Sequence, residues 1–155
     1  MKKLIAYFSP SGNTKAMAEK LAKATGADLF EIKPQTPYTR ADLDWTNKNS
    51  RSSVEMNDKS YRPQIAQLPN SLANYDTIFI GFPIWWYVAP TIINTFVENV
   101  DLDGKKVIPF ATSGGSGMGK TLANLKASCP GANWVEGKVI NGMSEKALAD
   151  WAEKL

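Results

Sequence analysis

The chain has 155 residues, of which 43% are hydrophobic, and its formal net charge is +3. It contains no histidine and a single cysteine, Cys129, which excludes an internal disulfide, a histidine-ligated metal site and Ser-His-Asp or Cys-His catalysis. The basic residues are scattered and no apolar stretch reaches the length of a membrane span, so we expect one cytoplasmic domain that binds neither nucleic acid nor membrane.

Hydrophobic stretches alternate with helical patterns along the chain. Strands are predicted at residues 2–8, 28–33, 76–82, 106–112 and 134–140, and helices at residues 13–25, 90–100, 120–129 and 144–155. Strands that alternate with helices form right-handed crossovers, which predicts a parallel sheet with helices on both faces. Ligands bind beyond the carboxyl ends of such strands, so the loops after the first, third and fourth strands should converge.

A long polar segment interrupts this alternation at residues 34–70. We treat the chain as a single domain, residues 1–155, with a long loop at about residues 34–62. A short helix near residues 62–68 would complete the crossover, and the alternative is a surface excursion held by Trp45. Connections of this length are usually functional or mobile.

The first loop follows its strand directly and reads Ser9-Pro10-Ser11-Gly12-Asn13-Thr14. A helix begins at once, and a helix N-terminus combines unpaired N–H groups with the positive end of the helix dipole. Hydroxyl side chains add hydrogen bonds, and Gly12 permits close approach of the backbone. The loop therefore predicts an anion site, with phosphate as the expected ligand. The alternative is an ordinary strand-to-helix turn with a Ser, Thr or Asn cap.

The loop after the third strand contains Pro83-Ile84-Trp85-Trp86-Tyr87. Three consecutive aromatic side chains are costly to leave in water, and a planar, electron-poor ring stacked on an indole would cover them. Such a pair gains roughly 0.5–1.5 kcal/mol beyond area burial. The alternatives are packing into the core or into a subunit interface. Because consecutive residues point in different directions, at least one of these rings should serve packing.

The loop after the fourth strand is rich in glycine and reads Thr112-Ser113-Gly114-Gly115-Ser116-Gly117-Met118-Gly119. Its uncovered backbone N–H groups suit the edge of a heteroaromatic ring, and a flexible loop is the alternative. Residues 114–121 also match the phosphate loop of nucleoside triphosphatases. The context argues against that function, because the third strand ends in Gly81-Phe82 with no aspartate to bind magnesium.

Together these loops resemble those of the flavodoxin-like family. Ser9-x-Ser11-Gly12-Asn13-Thr14 is similar to the flavodoxin phosphate loop. The patterns Phe82-Pro83-x-x-Trp86-x-x-x-Pro90 and Thr112-x-Gly114-Gly115-Ser116-Gly117 are similar to loops of flavodoxin-like quinone reductases. The resemblance implies a three-layer α/β sandwich, a five-stranded parallel sheet in the order 2-1-3-4-5, and FMN as the cofactor.

The same resemblance implies a role for each loop. The FMN phosphate would be bound by Ser9, Ser11, Gly12, Asn13 and Thr14. The isoalloxazine would be lined by Pro83, Ile84, Trp85 and Trp86, and its polar edge would be contacted by Thr112, Ser113, Gly114, Gly115, Ser116 and Gly117. Since the flavin would accept hydride or single electrons itself, we assign no catalytic side chain and no metal ligand.

Two departures from electron-carrier flavodoxins leave the activity open. Those carriers are acidic whereas this chain is mildly basic, and residues 112–119 contain no aromatic to cover the outer flavin face. One hypothesis is electron transfer with a redox partner protein. Another is NAD(P)H-dependent reduction of a quinone-type, nitro or azo compound. A third is a flavin-free domain that uses its aromatic patch for protein contact. Both a monomer and a homodimer fit the sequence.

Overall fold

A parallel sheet with helices on both faces forms the framework of the protein. In the computed structural model, which describes residues 2–155, the strands are β1 (Lys2–Tyr7), β2 (Asp28–Glu31), β3 (Tyr75–Pro83), β4 (Lys106–Thr112), β5 (Asn133–Trp134) and β6 (Lys138–Val139). The helices are α1 (Asn13–Thr25), α2 (Arg51–Asn57), α3 (Thr91–Asn99), α4 (Thr121–Ser128) and α5 (Glu145–Glu153), with a 3₁₀ turn at Ala41–Leu43. The strand order is β2-β1-β3-β4-β5, with β6 also paired to β4. The predicted fold class and strand order are confirmed.

Each face of the sheet builds its own hydrophobic core. Successive side chains of a strand point to opposite faces, so Leu4 of β1 enters one core and Ile5 enters the other. Helices α3 and α4 contribute buried side chains to the first core, and α1 and α5 to the second. None of the helices in residues 2–155 is both long and apolar enough to cross a membrane.

The fifth strand is broken, and the prediction of one strand over residues 134–140 was wrong. The chain pairs with β4 at β5 and again at β6, and Pro109 of β4 lies between the two pairings. Proline has no N–H to donate to a neighbouring strand. The carbonyl oxygens of Val107 and Ala111 on either side still accept hydrogen bonds of 2.9 Å from this region. A Cβ at Gly137 would overlap the carbonyl oxygen of Pro109, so this close approach of the two segments requires glycine.

The connection between β2 and β3 contains α2 and no helix at residues 62–68, so that prediction was also wrong. Pro63 disfavours a helical conformation at the residue before it. The stretch is extended instead, and an antiparallel bridge joins Ile65 to Pro34. Backbone hydrogen bonds of 2.9 and 2.8 Å flank this bridge. The bridge therefore holds the two ends of residues 34–65 next to each other.

Trp45 does not hold this segment in place, because its side chain is 72% exposed. The anchor is a cluster in which the half-buried Tyr38 and Arg51 contact the buried Glu55. The hydroxyl of Tyr38 and the Nε of Arg51 both donate to the Glu55 carboxylate, and the guanidinium lies 3.7 Å from the centre of the Tyr38 ring. Glu55 is only 2% exposed, so these contacts compensate its buried charge. Burial and the hydrogen bond to Glu55 raise the pKa of Tyr38 well above its ordinary value.

Candidate functional site

The turn between β1 and α1 presents backbone N–H groups that have no acceptor among residues 2–155. Within residues 2–155, no group accepts a hydrogen bond from the N–H of Ser11, Gly12, Asn13 or Thr14. Gly12 caps the helix with a φ of +92°, a left-handed conformation that side chains disfavour. Consecutive unpaired N–H groups at a helix N-terminus form an anion site. Ser11, Gly12 and Asn13 are exposed, so this site is accessible.

Two of the predicted phosphate ligands brace the turn from within. The Oγ of Ser9 accepts a 2.9 Å hydrogen bond from the N–H of Lys15. Thr14 is 1% exposed, and its hydroxyl lies 2.8 Å from the hydroxyl of Thr112, at the end of β4. This buried bond fixes the first loop against the start of the glycine-rich loop.

The aromatic loop after β3 contains a tight turn with two strained residues. Trp85 and Val88 exchange backbone hydrogen bonds of 3.0 and 3.3 Å, and the residues between them have left-handed φ values of +50° for Trp86 and +67° for Tyr87. This conformation costs roughly 1–2 kcal/mol for each residue with a side chain. Trp86 and Tyr87 are 46% and 64% exposed, so the turn holds both side chains outward.

Trp85 serves packing, as expected for one ring of the three. Its ring centre lies 5.8 Å from that of Phe8 and 5.8 Å from that of Tyr38, both in edge-to-face arrangements. Because Tyr38 belongs to the buried cluster of the long segment, Trp85 also connects that segment to the sheet.

The glycine-rich loop is held by a residue that the sequence did not reveal. The side-chain amide of Asn141 accepts from the N–H of Ser113 and donates to its carbonyl, each at 2.8 Å. The Ser113 hydroxyl in turn accepts from the N–H of Gly115 at 3.2 Å. Asn141 lies 28 residues from Ser113 and follows β6, so only the fold brings them together.

The three loops meet around two adjoining cavities. One has a volume of about 450 Å³. The aromatic loop lines it with Ile84, Trp85 and Trp86, and the glycine-rich loop lines it with Ser113, Gly114, Gly115 and Ser116. The second has a volume of about 930 Å³ and is lined by Ser11 of the first loop, with Tyr38 and Arg40 of the long segment. Leu43 and Trp45 line both cavities.

Several predicted residues do not line either cavity. Pro83 and Thr112 pair with each other at the ends of β3 and β4, and Gly117 lies beyond the lining part of its loop. Ser9, Gly12, Asn13 and Thr14 lie in the turn beside Ser11. Among the lining residues, those of the long segment were missed, because their positions depend on the buried Tyr38 cluster rather than on a local pattern.

In the match to the triphosphatase phosphate loop, the last two residues are already hydrogen-bonded within the protein. The N–H of Lys120 donates to the carbonyl of Tyr87 at 3.3 Å, and that of Thr121 donates to Met118 at 3.0 Å. The Thr121 hydroxyl is fully buried and also bonds to Met118. These groups are committed within the chain, whereas the N–H groups of the first loop are not.

Comparisons with known proteins found a matching family and similar solved structures. A family model described as flavodoxin matches residues 2–155. A candidate flavoprotein from Bacteroides eggerthii is 54% identical, with a TM-score of 0.95 over 99% of this chain and 96% of that one. A flavoprotein from Lactobacillus acidophilus, solved in complex with FMN, is 25% identical, with a TM-score of 0.67 over 97% of this chain and 98% of that one.

A curated relative is also similar over part of its length. The uncharacterized NAD(P)H oxidoreductase YcaK of Escherichia coli K12 is 30% identical over 98 residues, which is 63% of this chain and 45% of that protein. The chain thus spans less than half the length of the curated relative that it matches.

Proposed function

Because the chain belongs to the flavodoxin family, we propose that it binds FMN across the three loops and transfers electrons as a redox protein. One observation carries this proposal. The unpaired N–H groups of residues 11–14 stand beside adjoining cavities whose walls include indole rings and glycine-rich backbone.

The turn after β1 would hold the FMN phosphate. Four N–H groups and the exposed Ser11 side chain suit the oxygens of a phosphate, and charge-assisted hydrogen bonds are about twice as strong as neutral ones. Arg40 lines the same cavity as Ser11 and adds positive charge. This donor set binds a phosphate without a metal ion.

The isoalloxazine would lie in the 450 Å³ cavity. That volume is within the range of cofactor sites, and Trp86 offers an exposed indole face for stacking. The backbone of Ser113 to Ser116 would contact the polar edge of the ring system. Trp45 also lines this cavity, so the long segment supplies an aromatic wall that the glycine-rich loop lacks.

A bound flavin would supply the hydride and single-electron chemistry, and the protein would position it and control access to it. The first and third loops are fixed to each other by Thr14 and Thr112, so the binding geometry is largely formed in advance. The mild positive charge of the chain favours an acidic redox partner over a basic one.

A second candidate function is the NAD(P)H-dependent reduction of a small quinone-type acceptor. The similarity to the NAD(P)H oxidoreductase of Escherichia coli favours it. Anaerobic addition of NADPH to the FMN-loaded protein, without any reductase, separates the two functions. Loss of flavin absorbance within seconds would support the reductase, and unchanged absorbance would support the electron carrier.

Titration of the flavin-free protein with FMN, riboflavin and FAD tests the site itself. We expect FMN to bind about 100-fold more tightly than riboflavin, because two charge-assisted hydrogen bonds contribute about 3 kcal/mol. Quenching of flavin fluorescence measures each affinity. Equal affinities for FMN and riboflavin would contradict a phosphate site at residues 11–14.

A further inference from the structure

A third cavity, separate from the first two, lies on the other side of the strained aromatic turn. Its volume is about 810 Å³, and it is bounded by the turn together with residues of α2, α3 and α4. Trp86 and Tyr87 line this cavity as well as the smaller one described above. The strained turn therefore forms a partition between two cavities, each of a size that binds small molecules.

The walls of this cavity combine apolar surface with positive charge. Met56, Val88, Ala89 and Ala123 provide apolar side chains next to the two aromatic rings. Lys59 and Lys120 are the charged residues of the lining, and no carboxylate lies among the lining residues. Within residues 2–155 neither lysine forms a salt bridge. This composition suits a planar apolar body that carries a negative charge.

We propose that this cavity is a second ligand site, which binds a small aromatic anion such as an aromatic carboxylate. The ring packs against the apolar wall beside Trp86 and Tyr87, and the anionic group lies between Lys59 and Lys120. This site is distinct from the flavin cavity and does not depend on the proposed binding of FMN.

Calorimetric titration with 2-naphthoate tests the site, using the protein both with and without saturating FMN. We expect 2-naphthoate to bind in both states, and the uncharged 2-naphthamide to bind about tenfold more weakly. The double variant Lys59→Gln/Lys120→Gln should bind 2-naphthoate about three- to tenfold more weakly. Lys126→Gln is the matched control, because Lys126 is an exposed residue of α4 outside the cavity lining, and it should bind as the unmodified protein does.

The proposal is overturned if FMN displaces 2-naphthoate, if no binding occurs at millimolar concentration, or if the double lysine variant binds like the unmodified protein. If the protein bound no FMN but the double lysine variant still bound 2-naphthoate more weakly, the proposed function would be contradicted and the proposal of this second ligand site would be supported.

Discussion

The turns after β1 and β3 leave the same edge of the sheet and both contain left-handed residues, yet they are built from opposite residue types. The first has glycine at its left-handed position, so its backbone is uncovered and its N–H groups are free. The second has Trp86 and Tyr87 there, and it tolerates strain while it holds both rings outward. Under the proposed function, one turn would contact FMN through its backbone and the other through its side chains.

The largest expected effect follows from loss of the glycine in the first turn. An added Cβ at Gly12 meets no heavy atom within 4 Å, so Gly12→Val acts through the φ of +92° rather than through a clash with the protein. A β-branched residue disfavours this conformation strongly, and the N–H groups would lose their alignment. We expect FMN affinity to fall about 100-fold while riboflavin affinity stays the same. An equal loss for both flavins would show that the variant disturbs more than the phosphate site.

The next largest effect is expected from loss of the hydrogen bond between Thr14 and Thr112, which joins the first loop to the glycine-rich loop. Thr112→Val removes one hydroxyl and leaves that of Thr14 buried without a partner, which should lower the free energy of unfolding by about 1–3 kcal/mol. The double variant Thr14→Val/Thr112→Val removes both hydroxyls and should regain most of this loss. Urea unfolding of the four proteins in this cycle measures the coupling. Additive losses would show that the bond does not fix the loops.

In the aromatic turn the opposite substitution, introduction of a glycine, tests whether the backbone is strained. Tyr87→Gly relieves left-handed strain and should raise the free energy of unfolding by about 1 kcal/mol, equivalent to about 2–4 °C in melting temperature. Tyr87→Ala is the matched control, since it removes the same ring without relieving the strain. If the two variants had the same melting temperature, the backbone of this turn would not be strained.

The smallest effect concerns a contact outside both turns. The guanidinium of Arg62 donates to both oxygens of Glu98 at 2.8 and 3.1 Å, and this hydrogen bonding lowers the pKa of Glu98. A lowered folded-state pKa stabilises the protein above the unfolded-state pKa, and the contribution disappears as the pH falls through the folded-state value. Glu98→Gln should therefore cost about 0.5 kcal/mol at neutral pH and nothing in strong acid, with FMN affinity unchanged. Thermal unfolding of both proteins between neutral pH and strong acid measures this difference in stability.

The sequence predicted those elements whose signals are local. Helix α1 begins and ends at the predicted residues, because the turn at Gly12 and the left-handed Gly26 mark its ends. Strand β4 has its predicted bounds because its apolar run is uninterrupted by charge. Helix α2 was missed, since its seven residues have little hydrophobic periodicity. Its signals were the Ser50 cap and the i,i+4 spacing of Arg51 and Glu55.

Other features arise from contacts between distant parts of the chain. The amide of Asn141 holds the glycine-rich loop across 28 positions, and no local pattern distinguishes it from any surface asparagine. The break in the fifth strand depends on Pro109 in a different strand. The exposure of Trp45 differs from the expectation, because a lone tryptophan in a polar segment usually anchors that segment. Here Tyr38 has that role.

The bridge between Pro34 and Ile65 joins the two ends of the long segment. The segment is therefore a closed loop whose sequence can be changed largely independently of the strands. Outside the cluster of Tyr38, Arg51 and Glu55, the segment can be shortened, lengthened or exchanged while the strands keep their register, since the closure entropy of a loop changes slowly with its length. The same segment supplies Leu43 and Trp45 to both cavities of the candidate site. Under the proposed function, redesign of this one segment would alter ligand choice without any change to the sheet that supports it.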